Sequence, residues 1–449
     1  MSIMRSPLLR LCVPLLGASL LFGGSSVNAA SSWDGKAPVE YVLSVETDRD
    51  DALYRQGELV TFNVELQHNQ QPAGAEEIEW TISKDGVAPI QTGKLVLKEG
   101  RGVVTGNLKE PGFLQCKVTF TGTPKPITAL SAGGIDLAAI KPSMPAPADF
   151  DVFWAAQKKR LAAVPLNTKL TSVPVPPNRT GVETFSFQVD SIGAPSTGFY
   201  GRPIGAKPKS LPAVLFVPGA GVRSANLDSM AGWANAGMLV AEINAHGIPN
   251  GETREFYGAL DAGELKDYRV RGRESRDTYY FMGVYFRMLR ALEFLATQPE
   301  WDGKTLVLIG VSQGGGLALA GAALEPRVSY MICCVPGLTD HTGMVANRIA
   351  GWPKLIPKGA DGKPDPKVLE AVRYYDSVNF AARIKAPVHA EVGFIDVTCP
   401  PTSTYAAYNN LPGKKEMITH PDRGHDIGPQ IWGDMRKLVL AHIADQQAK

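Results

Sequence analysis

From Ser32 to about Ile140, apolar and polar residues alternate with a period of two in short runs. YVLSVETD, ELVTFNVELQHN, EIEWTISKDG, GKLVLKEG and GFLQCKVTFTG are examples, and turn formers such as Asp85-Gly86 and Glu99-Gly100 separate them. Successive side chains on a strand point to opposite faces, so each run offers one face to a core and one to water. About seven such strands predict a small all-β sandwich of immunoglobulin-like type over residues 32–140. With Cys116 as its only cysteine, it lacks the bridge between sheets found in antibody domains. The proline-rich stretch KPSMPAPADF, Lys141 to Phe150, then reads as a linker.

Past Phe150 the periodicity changes. DFDVFWAAQKKRLAAV has helical spacing, with Asp149 or Asp151 placed to cap its start. LPAVLFVPGAG is an apolar strand running into a glycine loop, LDSMAGWANAG is helical, and MLVAEINAHG is the next strand. A long helix, TYYFMGVYFRMLRALEFLATQPEW, precedes TLVLIGVS, and HAEVGFID and KEMITHP are later strands. Strands alternating with helices predict an α/β region over residues 141–449, with a mostly parallel sheet covered on both faces.

The chemistry concentrates in LIGVSQGGGLALA. Gly310-Val311-Ser312-Gln313-Gly314 fits G-x-S-x-G, the nucleophile elbow of the α/β-hydrolase fold. Five residues of this kind arise by chance in a glycine-rich chain, so the setting decides. A β-type run precedes Ser312 and a helical run of small residues follows it, which is the strand–turn–helix context an elbow needs. The helix start offers free N–H groups to a developing oxyanion. A phosphate-binding turn would need the lysine of a Walker loop or a full G-x-G-x-x-G, and neither is present.

A serine hydroxyl needs a base, and the base needs an orienting acid, in the chain order Ser, Asp or Glu, His. His425 lies in the loop PDRGHDIG between the last strand and the last helix, where this fold carries its base. His246 precedes the serine, His341 is in a loop, and His389, His420 and His442 sit in structural settings. Asp396 ends the strand HAEVGFID, ahead of Asp340, Glu391, Asp422 and Asp426 as the acid. The expected oxyanion donors are the backbone N–H groups of Gln313 and of Ala220 in FVPGAGVRS, with Gly221 as the neighbour.

Composition adds the setting. At 449 residues, 44% hydrophobic and 20% charged, the chain suits two soluble domains. Arg5 and Arg10 supply two charges of the net +2, leaving 2 − 2 = 0 without them, so no basic field draws nucleic acid or anionic membrane. Residues 1–29 read as a signal peptide, with Val27 and Ala29 before the cut, and imply a secreted or periplasmic protein free of the membrane after cleavage. Cys116, Cys333, Cys334 and Cys399 lack metal-ligand spacing and read as buried thiols.

PADFDVFWAAQKKRL, the stretch YYFMGVYFRMLRALEFLATQPEWDGKTLVLIGVSQGGGLALAGAALEPRV, and VGFIDVTCPPTSTYAAYNNL with Gly424-His425 together resemble the acetyl xylan esterase and cephalosporin C deacetylase family, carbohydrate esterase family 7. The resemblance spans Pro142 to Lys449. It implies a serine esterase, without cofactor or metal, that removes acetyl groups from carbohydrate. The family's triad maps onto Ser312, Asp396 and His425, and its oxyanion loop onto Gly219-Ala220. Three positions depart from the pattern. Asn244-Ala245-His246-Gly247 stands where the family has Arg-Gly-Gln, Ala220 stands where it has tyrosine, and His425-Asp426 replaces His-Glu. An acetylated carbohydrate is the expected partner, and a homo-oligomer is compatible with this reading. The alternatives are a serine peptidase of prolyl-oligopeptidase type and a non-catalytic carbohydrate-binding protein.

Overall fold

The protein is represented by a computed structural model that describes residues 41–426 and 428–448. The expected signal peptide and the start of the expected sandwich lie outside the described residues.

The front region builds two sheets. In one, Val60–His68 lies between Tyr41–Thr47 and Arg101–Gly106, with the short Gln71–Pro72 also paired to it. In the other, the order is Leu53–Tyr54, Ile127–Ile135, Gly112–Phe120, Glu77–Lys84 and Pro89–Val96. All their pairings are antiparallel except Leu53–Tyr54 against Gly134 and Ile135. The alternation seen in the sequence does the packing. Phe62, Val64 and Leu66 of one sheet and Ile78, Ile82, Leu114, Cys116 and Val118 of the other are buried together. The strand RGVVTG, which was not among the periodic runs singled out, is flanked and interrupted by glycine, and this weakens its signal.

Behind it stands a nine-stranded sheet. Its order is Lys169–Ser172, Val182–Val189, Ser196–Pro203, Leu239–Ile243, Leu211–Val217, Trp301–Val311, Tyr330–Cys334, Val388–Gly393 and Lys415–His420. The first three pairings are antiparallel and the remaining five parallel, which makes this an α/β-hydrolase sheet. Helices cover both faces. Leu215 and Leu308 face the helices Phe281–Ala296 and Gln313–Leu324, whereas Val214, Phe216, Val307 and Ile309 face Leu227–Ala234 and Ile431–Gln447. Burial on both sides explains why Leu306 to Ile309 is apolar throughout rather than alternating.

Tyr41–Lys449 form one compact unit. The Phe113 ring lies 5.0 Å from Phe394 and 5.9 Å from Tyr405, and Asn409 Nδ2 donates to the carbonyls of Leu137 and Ile140 at 2.8 and 2.9 Å. The Thr402 hydroxyl donates to Asp85 across the same contact. The proline-rich stretch is strapped down, with Ser143 Oγ 2.6 Å from Asp340 Oδ1 and the Lys141 carbonyl accepting from Arg348 at 2.8 Å. One local expectation is corrected. Asp149 occupies the cap position of the helix Phe150–Ala162 but makes no cap bond, because Arg276 and Tyr374 take its carboxylate. Asp151, in the first turn, pairs with Arg383. Among the described residues no helix is long and apolar enough to cross a membrane.

Candidate active site

Six loops leave the carboxyl ends of adjacent parallel strands and meet over one edge of the sheet. That edge is where an open α/β sheet gathers side chains for chemistry. Ser312 stands between the strand Trp301–Val311 and the helix Gln313–Leu324, with φ 61° and ψ −126°. A non-glycine residue in that region is strained, and the fold holds it there by backbone bonds on both sides. The Ser312 N–H donates to the Cys334 carbonyl at 2.9 Å, and its carbonyl accepts from Gly337 N–H at 2.8 Å. Gly310 makes the turn feasible, since a Cβ there would lie 1.9 Å from the Gly314 carbonyl oxygen.

The last two loops are zipped together. Ile395 N–H donates to the Arg423 carbonyl at 3.1 Å, and Phe394 N–H to the His420 carbonyl at 3.0 Å. Gly393 permits the approach, because a Cβ there would come within 2.3 Å of the Gly424 carbonyl oxygen. This pairing brings His425 beside Asp396. His425 Nδ1 is 2.8 Å from Asp396 Oδ2, and its Nε2 is 2.9 Å from Ser312 Oγ. The other oxygen, Asp396 Oδ1, accepts from the N–H groups of Thr398 and Cys399 at 2.8 and 2.9 Å. An ionised carboxylate can only accept, so Nδ1 carries the proton and Nε2 accepts from the serine hydroxyl. The Cys399 thiol is buried, and its pKa is raised by that burial and by the Asp396 charge, which keeps it protonated.

The expected oxyanion residues sit around the same point. Gln313 opens the helix after Ser312, and Ala220 lines the cavity that holds Ser312 and His425. The neighbouring Gly221 N–H is engaged by the Tyr268 hydroxyl at 3.2 Å, and that hydroxyl donates to Gln313 Oε1 at 3.0 Å. Tyr268 thus ties the loop at Gly221 to the start of the helix after Ser312. Sequence reading missed it because YRVRG has no periodicity or motif. His246 adds a second tie, with Nε2 3.2 Å from the Gly221 carbonyl and Nδ1 2.8 Å from the Tyr280 hydroxyl. Burial pushes His246 down to about 4, so it stays neutral, donating from Nε2 and accepting at Nδ1.

The other histidines and acids weighed from the sequence lie in different surroundings. His389 and His420 both contact Glu391, His341 is buried and pushed down to about 3, and His442 stacks on Tyr330. Asp340 pairs with Arg348, and Asp426 accepts from Gly428 N–H. The cavity over Ser312 has a volume of about 750 Å³. Arg223, Arg269, Glu242, Trp352 and Trp432 also line it, and none of them carried a sequence motif. Asp396, Cys399 and His425 could offer three ligand atoms to a metal, but here both ring nitrogens of His425 are engaged, one by Asp396 and the other by the Ser312 hydroxyl.

A family model for acetyl xylan esterase (AXE1) matches residues 134–438. The chain is 29% identical over 415 residues to the acetyl esterase Axe7A of Xylanibacter ruminicola, covering 91% of this chain and 92% of that protein. A solved acetyl xylan esterase from a Paenibacillus species is 28% identical and superposes with a TM-score of 0.58. The match covers 68% of this chain and 98% of that one. Acetyl xylan esterase 1 from a Thermoanaerobacterium species gives 25% identity and 0.57, covering 68% and 97%. The Xylanibacter esterase therefore matches across much of the front region, whereas about a third of this chain has no counterpart in either solved esterase.

Proposed function

Since the chain belongs to the acetyl xylan esterase family, we infer that it is an exported serine hydrolase that removes acetyl groups from carbohydrate through an acyl-enzyme on Ser312. That it hydrolyses carboxylic esters follows from the family and from the esterases it is similar to. The observation that carries the mechanism is the hydrogen-bonded line Ser312 Oγ, His425 Nε2, His425 Nδ1, Asp396 Oδ2 on a strained strand-to-helix turn.

His425 takes the Ser312 proton at Nε2 as Oγ attacks the acetyl carbonyl. Asp396 holds the imidazole in the competent tautomer and offsets the charge it gains. Gln313 and Ala220 N–H groups stabilise the oxyanion, each such donor contributing about 3–4 kcal/mol in comparable enzymes. Collapse of the tetrahedral intermediate breaks the C–O bond to the sugar, and His425 returns its proton to the departing alkoxide. Water activated by the same histidine then attacks the acetyl-serine, releasing acetate and restoring the hydroxyl. Residues 1–29 would direct export, and acetylated xylan or xylo-oligosaccharide is the substrate class the family supports.

Acetate release from acetylated xylo-oligosaccharide tests the reading. Ser312→Ala should lower kcat by on the order of 10⁵-fold while the circular dichroism spectrum is unchanged. Turnover within tenfold of the parent would overturn the assignment.

A further inference from the structure

The charge balance of the cavity over Ser312 is not needed to cleave a neutral acetyl ester. Two guanidiniums, Arg223 and Arg269, line it, against a single carboxylate, Glu242. Glu242 is half-buried, accepts the Asn226 N–H at 3.0 Å, and is pushed up to about 7 by its partial burial. It therefore offsets less than one full positive charge near neutral pH. Neither arginine forms an ion pair with a carboxylate among the described residues.

Their positions are specific. Arg223 Nη1 donates to the Ala220 carbonyl at 2.9 Å, which lays the guanidinium against the oxyanion loop. A Cβ built on Gly219 would lie 3.2 Å from Arg223 Nη2 and 3.8 Å from Ser312 Cβ, so the guanidinium and the nucleophile flank the same glycine. Arg269 sits over the Tyr268 ring, 5.6 Å from its centroid, and Tyr268 is the residue that ties the loop at Gly221 to the helix after Ser312. Both side chains are exposed at the cavity mouth, where a saccharide beyond the scissile ester would lie. A planar guanidinium with free donors suits a carboxylate better than it suits hydroxyl groups.

We propose that Arg223 and Arg269 form a carboxylate-binding subsite beside the nucleophile, and that the preferred substrate is an acetylated saccharide carrying a uronic acid close to the ester. The proposal rests on the reading of the site as an esterase. It adds a recognition element that cleavage itself does not require, and it gives the two arginines a role in specificity.

The test uses two acetylated oligosaccharides that differ only in one uronic acid, present in the first and reduced to the neutral sugar before acetylation in the second. The full-length protein should favour the acidic twin in kcat/KM by about three- to tenfold. Salt at about 0.5 M should narrow that ratio by screening. Replacing both arginines, Arg223→Gln with Arg269→Gln, should bring the ratio close to one. The ratio is internal to each variant, so a folding loss that slows both reactions leaves it readable. Equal rates for the twins in the parent, or a ratio that survives the double replacement, would overturn the subsite. Acetate release from neither twin would overturn the esterase reading and the subsite with it.

Discussion

A hollow of about 710 Å³ beside Arg49 and Glu58 in the front sandwich and the cavity of about 750 Å³ over Ser312 are close in volume and unlike in chemistry. In the sandwich hollow, Arg49 and Glu58 are paired with each other. Over Ser312, six loops from parallel strands converge, and a serine, a histidine and an aspartate line up with hydrogen bonds of 2.8 and 2.9 Å. Antiparallel strands send neighbouring loops to opposite ends of a sheet, whereas parallel strands bring theirs to one edge. Sheet topology, more than cavity size, separates the two hollows. The sandwich contributes differently, by packing Phe113 against Phe394, two residues before Asp396.

Disabling each region in turn should break the comparison in opposite ways. Asp396→Asn should lower kcat by on the order of 10⁴-fold with little change in Tm, because the amide favours the wrong imidazole tautomer. Phe113→Ala should do the reverse. A ring buried completely at the contact between regions is lost, and denaturant unfolding should show a loss of about 3–5 kcal/mol.

Asp85 sharpens the contrast between the two buried aspartates. Burial pushes it up to about 6, with the Thr402 hydroxyl and the Lys84 charge opposing the shift only in part. The native chain therefore keeps a proton that the unfolded chain releases near pH 4. Stability should fall as pH rises from about 4 to 6, by about 3 kcal/mol from this group, and stay at the lower level above that. Asp85→Asn should remove that fall, as read from Tm across the same range. The smallest effect is expected at His246. His246→Ala should lower kcat by about tenfold by loosening the Gly221 carbonyl, and Tyr280→Phe should have a weaker effect in the same direction.

Much of the fold was legible because its periodicities are strong. TLVLIG followed by a small-residue helix specifies an elbow, and the order Ser312, Asp396, His425 follows from loops after successive strands. Other features depend on partners far away in sequence. Tyr268 acquires its role from Gly221 and Gln313, which lie 47 and 45 residues away. Asp149 had good capping chemistry, but Arg276 and Tyr374 bind it more strongly than a helix N–H would. Lys141 to Phe150 had the composition of a tether, and only the fold reveals Asp340 and Arg348 waiting for it. Arg223 and Arg269 showed no pattern because a cavity mouth draws single residues from several loops.

Labelling the nucleophile tests the central claim most directly. An organophosphonate acetyl-ester mimic, incubated with the full-length protein and followed by peptide mass mapping, should modify Ser312 at one equivalent as activity falls to zero. Asp396→Asn should slow the labelling in proportion to its loss of turnover. Complete inactivation with Ser312 unmodified, or labelling of another serine in step with activity, would contradict it.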